Sequence, residues 1–450
     1  MSAPTEEDLG RQSITTLLRK QAIPASIGIL FMTVNILVDT IFVGRWIGSI
    51  GIAALTVIMP IAFLIAAIGL AIGIGGSSVL SRAYGASDLD LSRRTFAHQI
   101  LMTGVLSILL VSAGYFFQDE VLILFGAKGE ILEPAREFFL PILLAAPLQA
   151  FCAMGNTVIR AEDRAKVAMS ATIVAAVGNI VLDILFIKVF EWGIFGAALA
   201  TACSFLMCFV FVAYFFIFNS KLRLQWSDFS PRTALISEIT ALSFTTFSRH
   251  GVISILAVLL NHTLFTHGGE HAVTVYGIIS RMLMFALFPV IGIAQGFLPI
   301  AGYNYGAENF GRVKETIKIS IKWAGIFAIG IYTLILIFAE QIVGAFTTDP
   351  DVLRDTPTAL RWVFAASPVI AIQLIGAGYF QAAGKALKAL MLTLSKQGFF
   401  LIPLILILPN YFGIFGVWVS FPIADILATV VTGFFLKNEM NKFSKPDGIL

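Results

Sequence analysis

The sequence predicts an all-α polytopic membrane protein: twelve transmembrane helices in two six-helix lobes, related by a pseudo-twofold axis along the membrane normal. Three observations carry that expectation: the composition, the sorting of basic residues among the connectors, and an internal repeat. Of 450 residues, 58% are hydrophobic and only 13% charged, and the mean hydropathy is +0.89. A soluble domain carries about 25% charged residues. The formal net charge of +3 is too small to suggest a nucleic-acid partner. Cys152, Cys203 and Cys208 fall in apolar runs and read as small core residues, without a disulfide framework or metal site. The start, MSAPTEEDLG, is acidic and polar, so no cleavable signal is expected.

A spanning helix needs about 20 apolar residues. Runs of that kind lie near 14–43, 52–76, 95–117, 134–158, 167–189, 194–218, 236–266, 272–300, 315–339, 357–380, 387–408 and 413–436. With the amino terminus inside, only six of the 30 Lys and Arg fall in outer connectors: Arg45, Lys128, Arg136, Lys188, Arg354 and Arg361. One more, Arg281, lies within a helix, and the remainder sort to the inside. That asymmetry obeys the positive-inside rule and supports the helix count, because one missed span would scramble it.

The chain then repeats itself. Tyr84-Gly85-Ala86 recurs as Tyr305-Gly306-Ala307, and the same offset carries Gly75 to Gly296, Pro147 to Pro368, Gly155 to Gly376 and Arg160-Ala161 to Gln381-Ala382. One residue fewer carries Gly193-Ile194-Phe195-Gly196 to Gly413-Ile414-Phe415-Gly416. An even number of spans per half makes the repeats parallel, the arrangement of carriers that work by alternating access. The expected lobes are residues 1–218 and 236–450, joined by a cytoplasmic linker at 219–235.

Within this apolar scaffold, polar side chains at one depth are the informative signal. Asp39 is the only ionisable residue between Ile23 and Val43, and charge inside a membrane is costly enough to mark pathways by default. Asn35, four residues earlier, shares its helix face. In the fifth span Asn179 and Asp183 are also four apart, with Asp183 about seven residues, roughly 10 Å, below the outer end. Thr201 in the sixth span lies at a similar depth. Two carboxylates in one apolar pocket repel each other, so one holds a proton unless a cation binds between them. Carboxylate, amide and hydroxyl oxygens suit a hard cation such as Na+, and the same groups suit a protonation switch. The choice between sodium and proton stays open.

The second lobe lacks the counterpart. Repeat alignment puts His262 opposite Asp39 and Pro403 opposite Asp183, and the only carboxylate within 236–266 is Glu238 at the inner end. His262 either titrates near neutrality or is a buried histidine bonded to a neighbour. Arg281 and Asp425, the remaining charges read as mid-span, either pair as a structural bridge or contact substrate.

Several stretches together resemble the MATE (multidrug and toxic compound extrusion) transporters, particularly their bacterial DinF-like and MepA-like branch. They are DTIFVG at 39–44, SRAYGA at 81–86, IRAED at 159–163, and AQGFLPIAGYNYGA at 294–307 followed by RVKE at 312–315. The resemblance covers nearly the whole chain. It implies a secondary antiporter that exports amphipathic, mainly cationic drugs or toxic metabolites in exchange for Na+ or H+. It implies cation coupling at Asp39, Asn179, Asp183 and Thr201, a polar position at Asn35, and a drug-pathway asparagine at Asn156. Arg281 and His262 are tentative additions to that pathway. No cofactor, nucleic acid or enzymatic site is expected; the partners are the exported small molecule, a monovalent cation and membrane lipid. A monomer in the bacterial cytoplasmic (inner) membrane, with both termini cytoplasmic, is expected. At IRAEDRAK the family has a glycine that this chain lacks, so an altered cytoplasmic turn is expected there.

Rival readings have weaker support. A flippase for lipid-linked saccharides would line its path with several cations, and Arg281 is the only mid-span cation read from the sequence. An intramembrane polyprenyl-handling enzyme would need an aspartate-rich motif such as DDxxD, and none is present. AIGIGG at 71–76 has no βαβ context, so close helix packing explains it.

Overall fold

The computed structural model describes residues 7–443, and every regular element among them is helical. The first six residues of the acidic start and both chain termini lie outside the described residues. Eleven helices are long and apolar enough to cross a membrane. In chain order they are α1 (Ile14–Trp46), α2 (Ser49–Gly85), α3 (Leu89–Phe116), α4 (Leu132–Ala161), α5 (Ala165–Asp183, continued by a π-helical turn Ile184–Val189) and α6 (Gly193–Phe218). The next, Thr233–Gly306, runs for 74 residues but breaks at Gly269, where φ is 63°. It therefore supplies two spans, α7 (233–268) and α8 (270–306). The rest are α9 (Phe310–Gly344), α10 (Pro350–Val363 with Ile370–Ala382), α11 (Ala386–Leu394, a π-helical stretch Ser395–Leu401, then Ile402–Ile407) and α12 (Ile414–Lys442). Each apolar run of the sequence thus has its helix, and the expected connector between the seventh and eighth shrinks to one left-handed residue.

The repeat is written into the backbone. Left-handed residues occur at Gly48 and Gly269, Ser87 and Glu308, Asp163 and Gly384, and Gly193 and Gly413, each pair at the offset found in the sequence. The pair Asp163/Gly384 describes the turn at IRAEDRAK. Asp163, at φ 60°, makes the left-handed step that glycine makes at Gly384. Aspartate tolerates that region because its short side chain can bond locally.

The chain forms two compact units. One is Ile27–Thr246; the other takes Phe247 onward together with the described residues up to Ser26. The repeat halves and the packed units therefore differ at two equivalent places. The first turns of α1 are counted in the C-terminal unit, and the first turns of α7, up to Thr246, in the N-terminal unit.

In the C-terminal unit, the YNYGA and RVKE motifs explain how that amino-terminal stretch is held. Arg312 donates from Nη2 to the carbonyls of Leu9 and Gln12 at 3.1 and 2.7 Å, and from Nε to Asn304 Oδ1 at 2.9 Å. Asn304, fully buried, donates to the Leu9 and Ile300 carbonyls. In the N-terminal unit the linker is held in the same manner: Arg94 bonds the Ser227 carbonyl and Ser230 Oγ, and His98 Nε2 accepts from the Arg232 amide at 3.1 Å. The glycines of AIGIGG are packing positions. A methyl at Gly73 or Gly76 would collide with α4 at Thr157 or with Gln99 of α3, as expected where small residues let membrane helices approach.

Candidate functional site

The polar residues of α1, α5 and α6 meet inside the N-terminal unit. Asn35 Nδ2 donates to Asn179 Oδ1 at 2.7 Å and reaches the Ala176 carbonyl at 3.3 Å. Asn179 Nδ2 donates to Thr201 Oγ1 at 3.3 Å, and Thr201 in turn donates to the Ala197 carbonyl at 3.2 Å. One directed chain of bonds thus ties the three helices together. Sequence spacing put these groups at one depth; packing makes α1, α5 and α6 neighbours.

The two acids stand beside this chain and take no part in it. Asp183 has no exposed surface, and neither of its carboxylate oxygens has a hydrogen-bond partner among the described residues. Asp39 is half-buried, and its Oδ1 is buried and unpartnered too. Each acid lies four residues, about one turn, beyond its helix's partner in the Asn35–Asn179 bond. An unsatisfied buried polar group costs about 1–3 kcal/mol, more when charged. Four carboxylate oxygens on two acids, with three of them orphaned, are a donor set short of a positive charge. They fit either a proton on one acid or a hard monovalent cation, with Thr201 Oγ1 and Asn179 Oδ1 as neutral oxygens. Asp183 closes the regular part of α5, directly before the π-helical turn Ile184–Val189. π-Helical turns inside α-helices are frequent at functional sites. No cluster of three or more His, Cys, Asp or Glu suited to a transition metal exists among the described residues.

The tentative pathway residues are placed differently from one another. Asn156 bonds the Ala168 carbonyl and Thr172 Oγ1 of α5 at 2.9 and 3.1 Å, and its Oδ1 accepts from Arg160 Nε at 3.1 Å. It therefore braces α4 against α5. His262 is not the buried, bonded histidine considered above: its ring is exposed and has no partner among the described residues. Nor does Arg281 bridge to Asp425. Arg281 is exposed on α8, and the cation beside Asp425 is Lys396, whose Nζ lies 2.6 Å from Asp425 Oδ1.

Lys396 was missed because charge sorting assigned it to the inside, although it lies within the run 387–408. Arg249, within 236–266, was sorted inward for the same reason. The structure puts both inside α11 and α7, so Arg281 is not the only mid-span cation. The available signal was their position, nine or more residues into an apolar run.

The chain as a whole is similar to known proteins. The MatE family model matches residues 24–185 and 252–407. The chain is 26% identical over 410 residues to the multidrug export protein MepA of Staphylococcus aureus (strain MSSA476), covering 91% of this chain and 90% of that protein. It is 26% identical over 434 residues to MepA of Staphylococcus haemolyticus (strain JCSC1435), covering 96% and 95%. Among solved structures, MATE in complex with MaD3S superposes with a TM-score of 0.93 at 26% identity, over 98% of this chain and 100% of that one. The outward-facing conformation of a multidrug resistance MATE family transporter of the MOP superfamily gives 0.93 at 26% identity, over 99% and 100%. With both of its repeats matched and its two-lobe helical fold shared, the chain belongs to the MatE family, the multidrug and toxic compound extrusion transporters.

Proposed function

We propose that this protein is a secondary multidrug antiporter. It exports amphipathic, mainly cationic compounds while Na+ or H+ enters, by alternating access. Asp39 and Asp183 carry the exchanged cation, with Asn179 and Thr201 as neutral oxygens and Asn35 holding Asn179 in place. The observation that carries the reading is Asp183, fully buried with both carboxylate oxygens unpartnered beside a second acid. Such a pair tolerates ionisation only when a cation joins it. When the cation leaves, one acid must take a proton or the two must separate, so occupancy is linked to how α1 packs on α5. Both termini lie in the cytoplasm of a bacterial cell and the chain in its inner membrane, an orientation that the positive-inside sorting supports. The protein acts as a monomer.

The test is dye efflux from proteoliposomes under a sodium gradient alone and then a proton gradient alone. Asp39→Asn should abolish gradient-driven efflux in both formats while leaving a monodisperse, folded protein; undiminished efflux would refute the reading.

One observation favours a second reading, a flippase for lipid-linked saccharides. Arg249 and Arg281 are mid-span guanidinium groups without an acidic partner among the described residues, as a path for pyrophosphate would need. Drug sensitivity of an expressing strain separates the two, since a flippase confers no resistance.

A further inference from the structure

The C-terminal unit holds an acid that the proposed coupling site does not use. Asp425 sits in the interior of α12, 5% exposed, and Lys396, in the π-helical stretch of α11, is 16% exposed. Their charged ends are 2.6 Å apart, though Oδ1 has no well-aligned hydrogen-bond donor. Lys396 is the one cation paired with Asp425 among the described residues, and polar groups on the facing helices are engaged elsewhere. From α10, Gln373 is engaged with the Leu392 carbonyl and the Val369 carbonyl accepts from Thr429. From α8, Tyr276 packs on Phe421.

The repeat says what this pair corresponds to. At the offset fixed by Gly193/Gly413, α11 and α12 correspond to α5 and α6. Asn179 then corresponds to Phe399, and Thr201 to Phe421. The Asn179–Thr201 bond and the Lys396–Asp425 pair therefore join the same two helices of each unit, about one turn apart along the axis, or about 5 Å. In the N-terminal unit Asp183 on this frame, and Asp39 on the adjoining α1, have no cationic side chain in contact among the described residues. In the C-terminal unit the acid has one attached to the neighbouring helix. Each unit has its π-helical stretch in the same one of these helices.

We propose that Lys396 is a resident counter-ion: its ammonium occupies at Asp425 the role that an exchangeable cation plays at Asp39 and Asp183. The C-terminal unit then holds, on the equivalent helix pair, an acid that is closed to exchange, and one lobe alone exchanges ions. Lys396 is a positioning residue that keeps the coupling count at one site; removing it converts Asp425 into a second exchangeable carboxyl. This inference rests on the coupling role proposed above for Asp39 and Asp183.

Dicyclohexylcarbodiimide adds to protonated carboxyl groups in apolar surroundings, and the mass of each peptide reports which carboxyl reacted. An ammonium in contact competes with a proton for the carboxylate, by about ten- to a thousandfold. In purified protein at pH 6, the Asp425 peptide should therefore stay unlabelled in the wild type and in Lys396→Arg. It should become labelled at least about tenfold more in Lys396→Met, with the label lost in the double variant with Asp425→Asn. Lys396→Gln serves if the Met variant is not monodisperse. Equal labelling of Asp425 in wild type and variants overturns the proposal, and the wild-type arm needs no substitution to give that result. So does a folded Lys396→Met protein whose Asp425 never reacts. Labelling of Asp39 and Asp183 in the same wild-type digest is read separately: if both are refractory at every pH, the coupling role fails while the Lys396 comparison keeps its own outcome.

Discussion

The two units use one scaffold with opposite electrostatics. Where α1 and α5 of the N-terminal unit leave two acids without a cation, α11 and α12 of the C-terminal unit close their acid with Lys396. The contrast recurs at the equivalent turns that follow α4 and α10. In the N-terminal unit the turn supplies the acid: Glu162 is 8% exposed and accepts from Ser220 Oγ and from the Lys221 amide. In the C-terminal unit the turn supplies the base, Lys385, paired with Glu439 near the end of α12; Lys388 and Lys442 lie 3.7 and 3.8 Å from the same carboxylate. Duplication conserves helix spacing and left-handed turn positions because backbone packing demands them. It leaves buried charge free to diverge, provided each unit satisfies its own. An uncompensated acid is tolerated where an ion can come and go.

The largest effects should come from the acids themselves. Asp183→Asn removes a buried charge without changing shape, so it should abolish ion-driven efflux while leaving the thermal midpoint of the purified protein no lower than wild type. A midpoint that falls sharply would mean that Asp183 is bonded and structural, and the contrast between units would break. Lys396→Met should do the opposite. Breaking a buried pair costs about 3–5 kcal/mol because one charge is left alone. The thermal midpoint should drop, and Lys396→Met with Asp425→Leu should recover most of it. A single variant as stable as the wild type would show that the pair carries no buried charge.

How far the sequence anticipated these differences depends on the residue. Helix count, repeat and the depth of Asp39, Asn179, Asp183 and Thr201 were legible because hydropathy and side-chain period are local properties. The bond from Asn35 to Asn179 was not, since it needs α1 and α5 to be neighbours. The partner of Asp425 was misread for the same reason: Arg281 and Lys396 are equally plausible by depth, and only tertiary packing chooses between them. Lys396 was also hidden by the charge sorting, which rewards moving a lysine to the nearest inner connector. A long aliphatic stem lets lysine sit in an apolar run, so its position alone misleads. The division at Ser26 and Thr246 was illegible as well, because which unit a helix end packs against is a non-local fact.

A smaller, pH-dependent effect follows at the cytoplasmic turn. Burial pushes the Glu162 carboxyl up from its ordinary 4.5 to about 7, with the Ser220 and Lys221 hydrogen bonds only partly opposing it. The folded state therefore binds a proton that the unfolded state has released between those values. Its stabilising contribution is full below pH 4.5 and is lost as pH rises through 7. Between pH 5.5 and 7.5 the loss is about 2 kcal/mol at most. Glu162→Gln should flatten the thermal midpoint over that range. The equivalent turn of the C-terminal unit has no carboxylate at Ala383, so a variant that keeps the full slope would place the titrating group elsewhere and remove this part of the contrast.

The smallest effect expected is at Thr201. Thr201→Val keeps the shape of α6 and removes only Oγ1, the acceptor for Asn179 Nδ2 and the donor to the Ala197 carbonyl. A hydrogen bond of this kind contributes about 0.5–1.5 kcal/mol net, so the thermal midpoint should move little. If Thr201 is also one of the oxygens that face the exchanged cation, efflux should fall severalfold and recover at a higher driving-ion concentration, which the acid variants should not do. Substituting Phe421, its counterpart in the second repeat, by Leu should leave ion dependence unchanged. A shift in ion dependence there would mean that the C-terminal unit takes part in exchange after all.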